Sequence, residues 1–126
     1  MTSVERPVPE PAGVAVVTVL TTVDSAEGAA ALARGAVEAR LAACAQISGP
    51  VTSVYRWQGA VETAQEWQVL FKTTAERYPA LEAALAAGHP YDTPEIIATP
   101  VAGGGAGYLA WVAAEVAPAP DPEDAP

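Results

Sequence analysis

The sequence predicts an α+β fold in which one antiparallel sheet carries helices on one face. Three observations predict it. Strand-like and helical patterns alternate in the order strand, helix, strand, strand, helix, strand, followed by one more helix. Two long strand-like stretches flank a Gln58-Gly59 pair, which suits a hairpin turn. Aromatic residues reach only 6% while alanine is abundant, so short-chain helical faces can pack closely against a sheet.

Residues 14–20 are apolar on both alternating faces and rich in valine, the pattern of a strand buried on both sides. Asp24, with Glu27 three residues later, predicts a helix start in which the Asp carboxylate accepts from free backbone N–H groups. That helix is expected over 25–40, with Leu32, Ala36 and Val37 on the inner face. Extended backbone follows over 44–57, interrupted at Gly49-Pro50, and again over 61–73. In the second stretch Trp67, Val69, Phe71 and Thr73 share one face, opposite Glu66, Gln68, Leu70 and Lys72.

Pro79 opens the next helix, Leu81 and Leu85 pair one turn apart, and Gly88 stops it. Pro94 and Pro100 bracket a short strand at 95–99. Beyond the Gly103-Gly104-Gly105 turn, residues 108–116 read as a last helix with Leu109, Val112 and Val116 inward. The order is ferredoxin-like, β-α-β-β-α-β, with an appended C-terminal helix. Pro- and acid-rich composition predicts a disordered arm at 1–12 and a disordered tail at 118–126, leaving one domain at 13–117.

The formal charge is −9, from 6 basic and 15 acidic residues. No basic stripe is available to neutralise phosphates, so neither nucleic acid nor an anionic membrane is an expected partner. The single Cys44 cannot form an intrachain disulfide. The first apolar run is too short to span a bilayer and lacks the flanks of a secretion signal. A cytoplasmic protein is expected.

Copper and zinc favour thiolate and imidazole, and the chain offers one of each, Cys44 and His89. One subunit cannot assemble a four-ligand soft site from them. Neighbouring chains could, with carboxylates such as Glu62, Glu66 or Glu95 adding oxygen. The plainer roles stay open: a strand cysteine often packs as a small hydrophobe, and a histidine beyond a helix end often bonds a carbonyl.

Pro90 and Pro94 restrict the segment 89–95, which pre-orders the polar groups of His89, Tyr91, Asp92 and Glu95. The same rigidity would serve a mere connector. Lys72, the only lysine, either pairs with an acid such as Glu66 or receives an anion. Tyr55 and Trp57 either line a ligand cleft or anchor an interface. No nucleophile, base and orienting acid are legible together, so an enzyme is not expected.

Five stretches carry a resemblance: Leu41-Ala-Ala-Cys-Ala45, Val51-Thr-Ser-Val-Tyr-Arg-Trp-Gln-Gly59, Phe71-Lys-Thr-Thr74, His89-Pro-Tyr-Asp-Thr-Pro-Glu-Ile96 and Tyr108-Leu-Ala-Trp111. With them the chain resembles the CutA divalent-cation-tolerance family over residues 14–116. The resemblance implies a tight homotrimer whose long hairpins pair across subunit boundaries. It also implies similarity to PII signalling proteins and a link to tolerance of copper and other divalent metals. Thr21 stands where some relatives have a second cysteine, Gly49-Pro50 replaces the usual Pro-Gly, and Gln58 replaces a frequent Glu.

Two functions are therefore expected as alternatives. In the first, the trimer binds Cu(II) or another divalent cation, without an organic cofactor, in inter-subunit clefts near Cys44, His89, Glu66 and Glu95. In the second, it is a PII-like signalling or scaffold trimer. That trimer holds a small anionic metabolite near Lys72, Tyr55, Trp57 and Tyr91, or docks a protein. Long hairpin edges argue for the trimer independently, because a closed ring protects them.

Overall fold

The computed structural model describes residues 14–118. The expected arm at 1–12 and nearly all of the tail at 118–126 lie outside the described residues. Seven elements follow in the expected order: β1 (Val16–Val23), α1 (Ala26–Glu38), β2 (Cys44–Trp57), β3 (Ala60–Thr74), α2 (Tyr78–Gly88), β4 (Ile96–Pro100) and α3 (Ala106–Val116). The four strands form one antiparallel sheet in the order β2-β3-β1-β4, the ferredoxin-like arrangement.

Strand β1 lies inside the sheet; its odd-numbered face is buried, whereas Thr18 and Leu20 on the other face are only half-buried. Val17, Val19 and Val23 face α1 and α2 and join Val69, Phe71, Leu81 and Leu85 in the main core. Phe71 is fully buried, a burial that contributes about 2–3 kcal/mol. Val16 alternates to the other face and packs with Ala43, Leu109, Val112 and Val116, so α3 seals a second, smaller cluster.

Several boundaries differ from the sequence expectation. Strand β1 begins and ends later than 14–20, because its pairing with β3 continues from Val16 to Val23. Ser25, not Asp24, caps α1: its hydroxyl accepts from the Gly28 N–H at 2.9 Å. The buried stripe of α1 is Ala29, Ala33 and Ala36, whereas Val37 is exposed. Ala29, Ala33 and Ala36 form the inward stripe at helical spacing, and Val37, about 100° further round the helix from Ala36, falls outside it. Strand β4 runs one residue later than expected, and α3 starts at Ala106, two residues earlier.

Helix α1 ends in a Schellman motif, with Leu41 N–H bonded to Ala36 O at 2.9 Å and Arg40 N–H to Val37 O at 3.0 Å. The left-handed position falls on Arg40 (φ 60°), where glycine is the usual residue. The arginine has a second task there. Its guanidinium donates to the carbonyls of Glu115 (3.1 Å) and Ala114 (3.2 Å), a cation at the C-terminal end of α3.

Candidate functional site

The site is built by a change of parity in β2. Up to Ser48, even-numbered residues of β2 face the even-numbered residues of β3, as in Cys44 opposite Lys72 and Ser48 opposite Gln68. Between Ser48 and Val51 the register shifts by one residue, and thereafter odd residues of β2 face even ones of β3. The bulge therefore turns Ser53, Tyr55 and Trp57 onto the face that carries Ala64 and Glu66. Gly49, at the bulge, is held under the Trp67 ring: a Cβ there would lie 2.7 Å from Trp67 Cδ1. Gln58 (φ 49°) and Gly59 (φ 82°) close the hairpin with positive φ at both central residues, as the favoured two-residue turn requires.

The proline-bracketed segment after α2 forms the opposite wall. His89 is buried and anchors it: Nε2–H donates to the Thr22 carbonyl at 2.8 Å, and Nδ1 accepts from the Tyr91 N–H at 3.1 Å. A carbonyl can only accept and a backbone N–H can only donate, so these bonds select the neutral Nε2–H tautomer. The imidazole also packs against the Tyr91 ring, with centroids 4.7 Å apart. Tyr91 then reaches across to β3 and donates its hydroxyl to Glu66 Oε2 at 2.8 Å. Burial, first, and then the hydrogen bond and charge of Glu66 raise the Tyr91 pKa well above the usual phenol value. The hydroxyl stays a donor.

Between the walls lies an open cleft of about 690 Å³, lined among others by Tyr55, Trp57, Glu66, Tyr91, Asp92 and Glu95. Five of the eight expected site residues thus come together: Tyr55, Trp57, Tyr91, Glu66 and Glu95. His89 stands behind them with both ring nitrogens engaged, the carbonyl-bonded role. Lys72 is elsewhere: its ammonium donates to Gln46, not Glu66, and it lies six residues along β3 from Glu66, about 20 Å away. Cys44 is also remote. Its Sγ is 3.3 Å from the Tyr108 hydroxyl, at the α3 end of the sheet. That contact, and then burial, raises the Tyr108 pKa.

A divalent ion needs three or more donors converging on one point. Among the described residues no three His, Cys, Asp or Glu side chains converge in that way. Cys44 and His89 cannot meet within one subunit. Thr22, which His89 binds, is four residues along β1 from Thr18, and Lys72 bridges Thr18 to Cys44, a separation of about 13 Å along the strand alone. The described residues of one subunit therefore offer no set that fits a metal. Sequence reasoning missed Thr22, which lines the cleft, and the bulge that orients Tyr55 and Trp57; only the Gly49-Pro50 interruption hinted at the last.

Comparison with known proteins agrees with this architecture. Residues 17–115 match the family described as CutA1 divalent ion tolerance protein. The divalent-cation tolerance protein CutA of Thermus thermophilus is 49% identical over 94 residues, covering 75% of this chain and 91% of that protein. A solved structure of the Thermus thermophilus protein superposes with a TM-score of 0.78 at 46% identity, covering 79% of this chain and 97% of the other. CutA from Archaeoglobus fulgidus, described as a periplasmic divalent cation tolerance protein, superposes with a TM-score of 0.78 at 33% identity, covering 80% and 98% of the two chains. No helix among the described residues is long and apolar enough to cross a membrane. Fold, element order and motifs coincide, and the chain belongs to the CutA1 divalent ion tolerance family.

Proposed function

We propose that this protein acts in divalent-cation tolerance as a homotrimer that binds Cu(II) or a similar divalent ion across subunit boundaries, without catalysis. The family match over residues 17–115 carries the reading. Two features of the chain support assembly. β2 is an outer strand fourteen residues long, and Val54, Trp57 and Val61 are exposed on the hairpin it forms with β3. A three-fold ring would cover both. It would also supply what one subunit lacks, by bringing carboxylates such as Glu66 and Glu95 of one chain towards Cys44 or further carboxylates of another. His89 could join such a set only by releasing Thr22 or Tyr91. The free thiol of Cys44 agrees with a reducing cytoplasm, and cell fractionation would check that placement.

The test is a Cu(II) and Zn(II) titration of the intact protein, with its mass measured by light scattering. Saturable micromolar binding by a species of three chains is expected, weakened in Cys44→Ala and Glu95→Gln. A monomer mass, or metal binding that neither substitution changes, would refute the reading. Lys72, which donates to Gln46, does not line the cleft, so the cleft's own residues do not support an anionic metabolite held there by Lys72.

A further inference from the structure

At the end of β3 opposite the hairpin we infer a docking surface, built by Arg40 and Arg77, for the acidic segment 121–124 of the same chain. Arg40 holds the last turn of α3 by the carbonyls of Glu115 and Ala114, which occupies only part of its guanidinium fork. Arg77 lays its own guanidinium against the Arg40 backbone, donating from Nη2 to the Arg40 carbonyl at 3.3 Å. Its Nε–H is buried and has no hydrogen-bond partner among the described residues. Helix α2 begins at Arg77 with no side-chain cap and no acidic residue in its first turn, so the positive end of its dipole adds to the same corner. No carboxylate answers this charge. The ion pair among the described residues is Arg34–Glu38 on α1. Glu76 and Glu115 adjoin the corner in sequence, yet neither forms an ion pair with Arg40 or Arg77.

Where the chain leaves α3 selects the occupant. The described residues end at Pro118, two positions beyond the helix whose last carbonyls Arg40 holds. From there the sequence carries Asp121, Glu123 and Asp124 and no basic residue. Asp121 follows Val116 by five residues, about 16 Å of extended proline-rich backbone. That span passes Arg40 and reaches Arg77, which stands one arginine side chain further on. Pro118, Pro120 and Pro122 reduce the backbone freedom lost on docking. The tether also holds these carboxylates at a local concentration of about millimolar, so arginine–carboxylate pairs too weak to join separate molecules are populated within one.

Assembly does not alter this juxtaposition. The bonds that fix both arginines run within one subunit, and the acidic segment belongs to that subunit. Arg77 follows the inner strand β3, whose end at Thr74 is fourteen residues from Ala60 at the hairpin turn, roughly 45 Å along the strand. The exposed Val54, Trp57 and Val61 lie near that distant turn.

The inference does not rest on the metal reading, and NMR of the full chain tests it without metal. Deleting residues 119–126, which leaves every described contact in place, should shift the Arg77 side-chain N–H signals and leave those of Arg34 and Arg56 unmoved. Conversely, Arg77→Gln should shift the backbone amides of Asp121, Glu123 and Asp124, as should salt at about 0.5 M, which screens exposed pairs. Cleavage after Glu123 by a glutamate-specific protease should be about threefold to fivefold slower in the parent than in Arg77→Gln, with thermal melts showing that the variant folds. Arg77 signals unmoved by the deletion would overturn the inference, the outcome expected if a carboxylate of another subunit fills the corner. So would tail amides and cleavage rates unmoved by Arg77→Gln. Inorganic phosphate that shifts the Arg77 signals as strongly in the full chain as in the deletion variant would also overturn it, since a docked segment must compete.

Discussion

The Tyr91 hydroxyl lies 2.8 Å from Glu66 Oε2 and ties the proline-bracketed loop to the middle of β3. The loop is tied to the hairpin through that bond and to β1 through His89, so the cleft has a pre-formed width.

Tyr91→Phe removes the tie and should cost about 1 kcal/mol at neutral pH, since one partner is a carboxylate but the pair is only part-buried. The folded state raises the phenol pKa above its unfolded value of 10.0. The associated stability is fully present below pH 10 and is lost as pH rises towards the folded-state pKa. Urea unfolding from pH 8 to 11.5 should show a stability decline above pH 10 that is shallower in Tyr91→Phe.

His89→Ala leaves the Thr22 carbonyl and the Tyr91 N–H without partners at a buried position. A loss of about 2–3 kcal/mol in chemical unfolding is expected. A variant as stable as the parent would mean that the two bonds contribute nothing and would reopen a ligand role for the imidazole.

Gly49→Ala drives a methyl group to 2.7 Å from Trp67 Cδ1 and 3.1 Å from the Glu66 carbonyl. The ring or the bulge must shift, at about 1–3 kcal/mol. Because the bulge orients Tyr55 and Trp57, Trp57 emission should move along with the stability. Unchanged stability and emission would show that the close approach is not a constraint.

Thr21 is fully buried, and its hydroxyl has no hydrogen-bond partner among the described residues. Thr21→Val keeps the shape and removes the unpaired oxygen, so it should stabilise the protein by about 1 kcal/mol. A loss of stability in the same assay would reveal a partner for that hydroxyl.

Much of this architecture is legible along the chain. The valines of β1, the Gln58-Gly59 turn, the alternation of Val69, Phe71 and Thr73, and the Leu81/Leu85 pair each follow from period and turn chemistry, which act locally. Element ends are less legible. Ser25 and Asp24 are both good caps, and only the exit of β1 decides which one meets the Gly28 N–H. Arg40 takes a glycine position because of carbonyls seventy-odd residues away in α3, a dependence invisible along the chain.

For the candidate site, residue types indicated only part of the lining: Tyr91, Asp92 and Glu95 of the rigid segment and the aromatics Tyr55 and Trp57 were singled out by chemistry alone and share one cleft, whereas Cys44 and Lys72 lie outside it. What the tertiary structure decided was which groups share a point in space. A single extra residue at the Gly49-Pro50 interruption reverses the face of every later side chain in β2, bringing Tyr55 and Trp57 to Glu66. Strand spacing carries Cys44 and Lys72 out of reach, and a buried histidine must spend both nitrogens on backbone groups that water cannot serve. Local pattern sets the elements and their candidate residues; register and burial, which are properties of the whole sheet, set their roles.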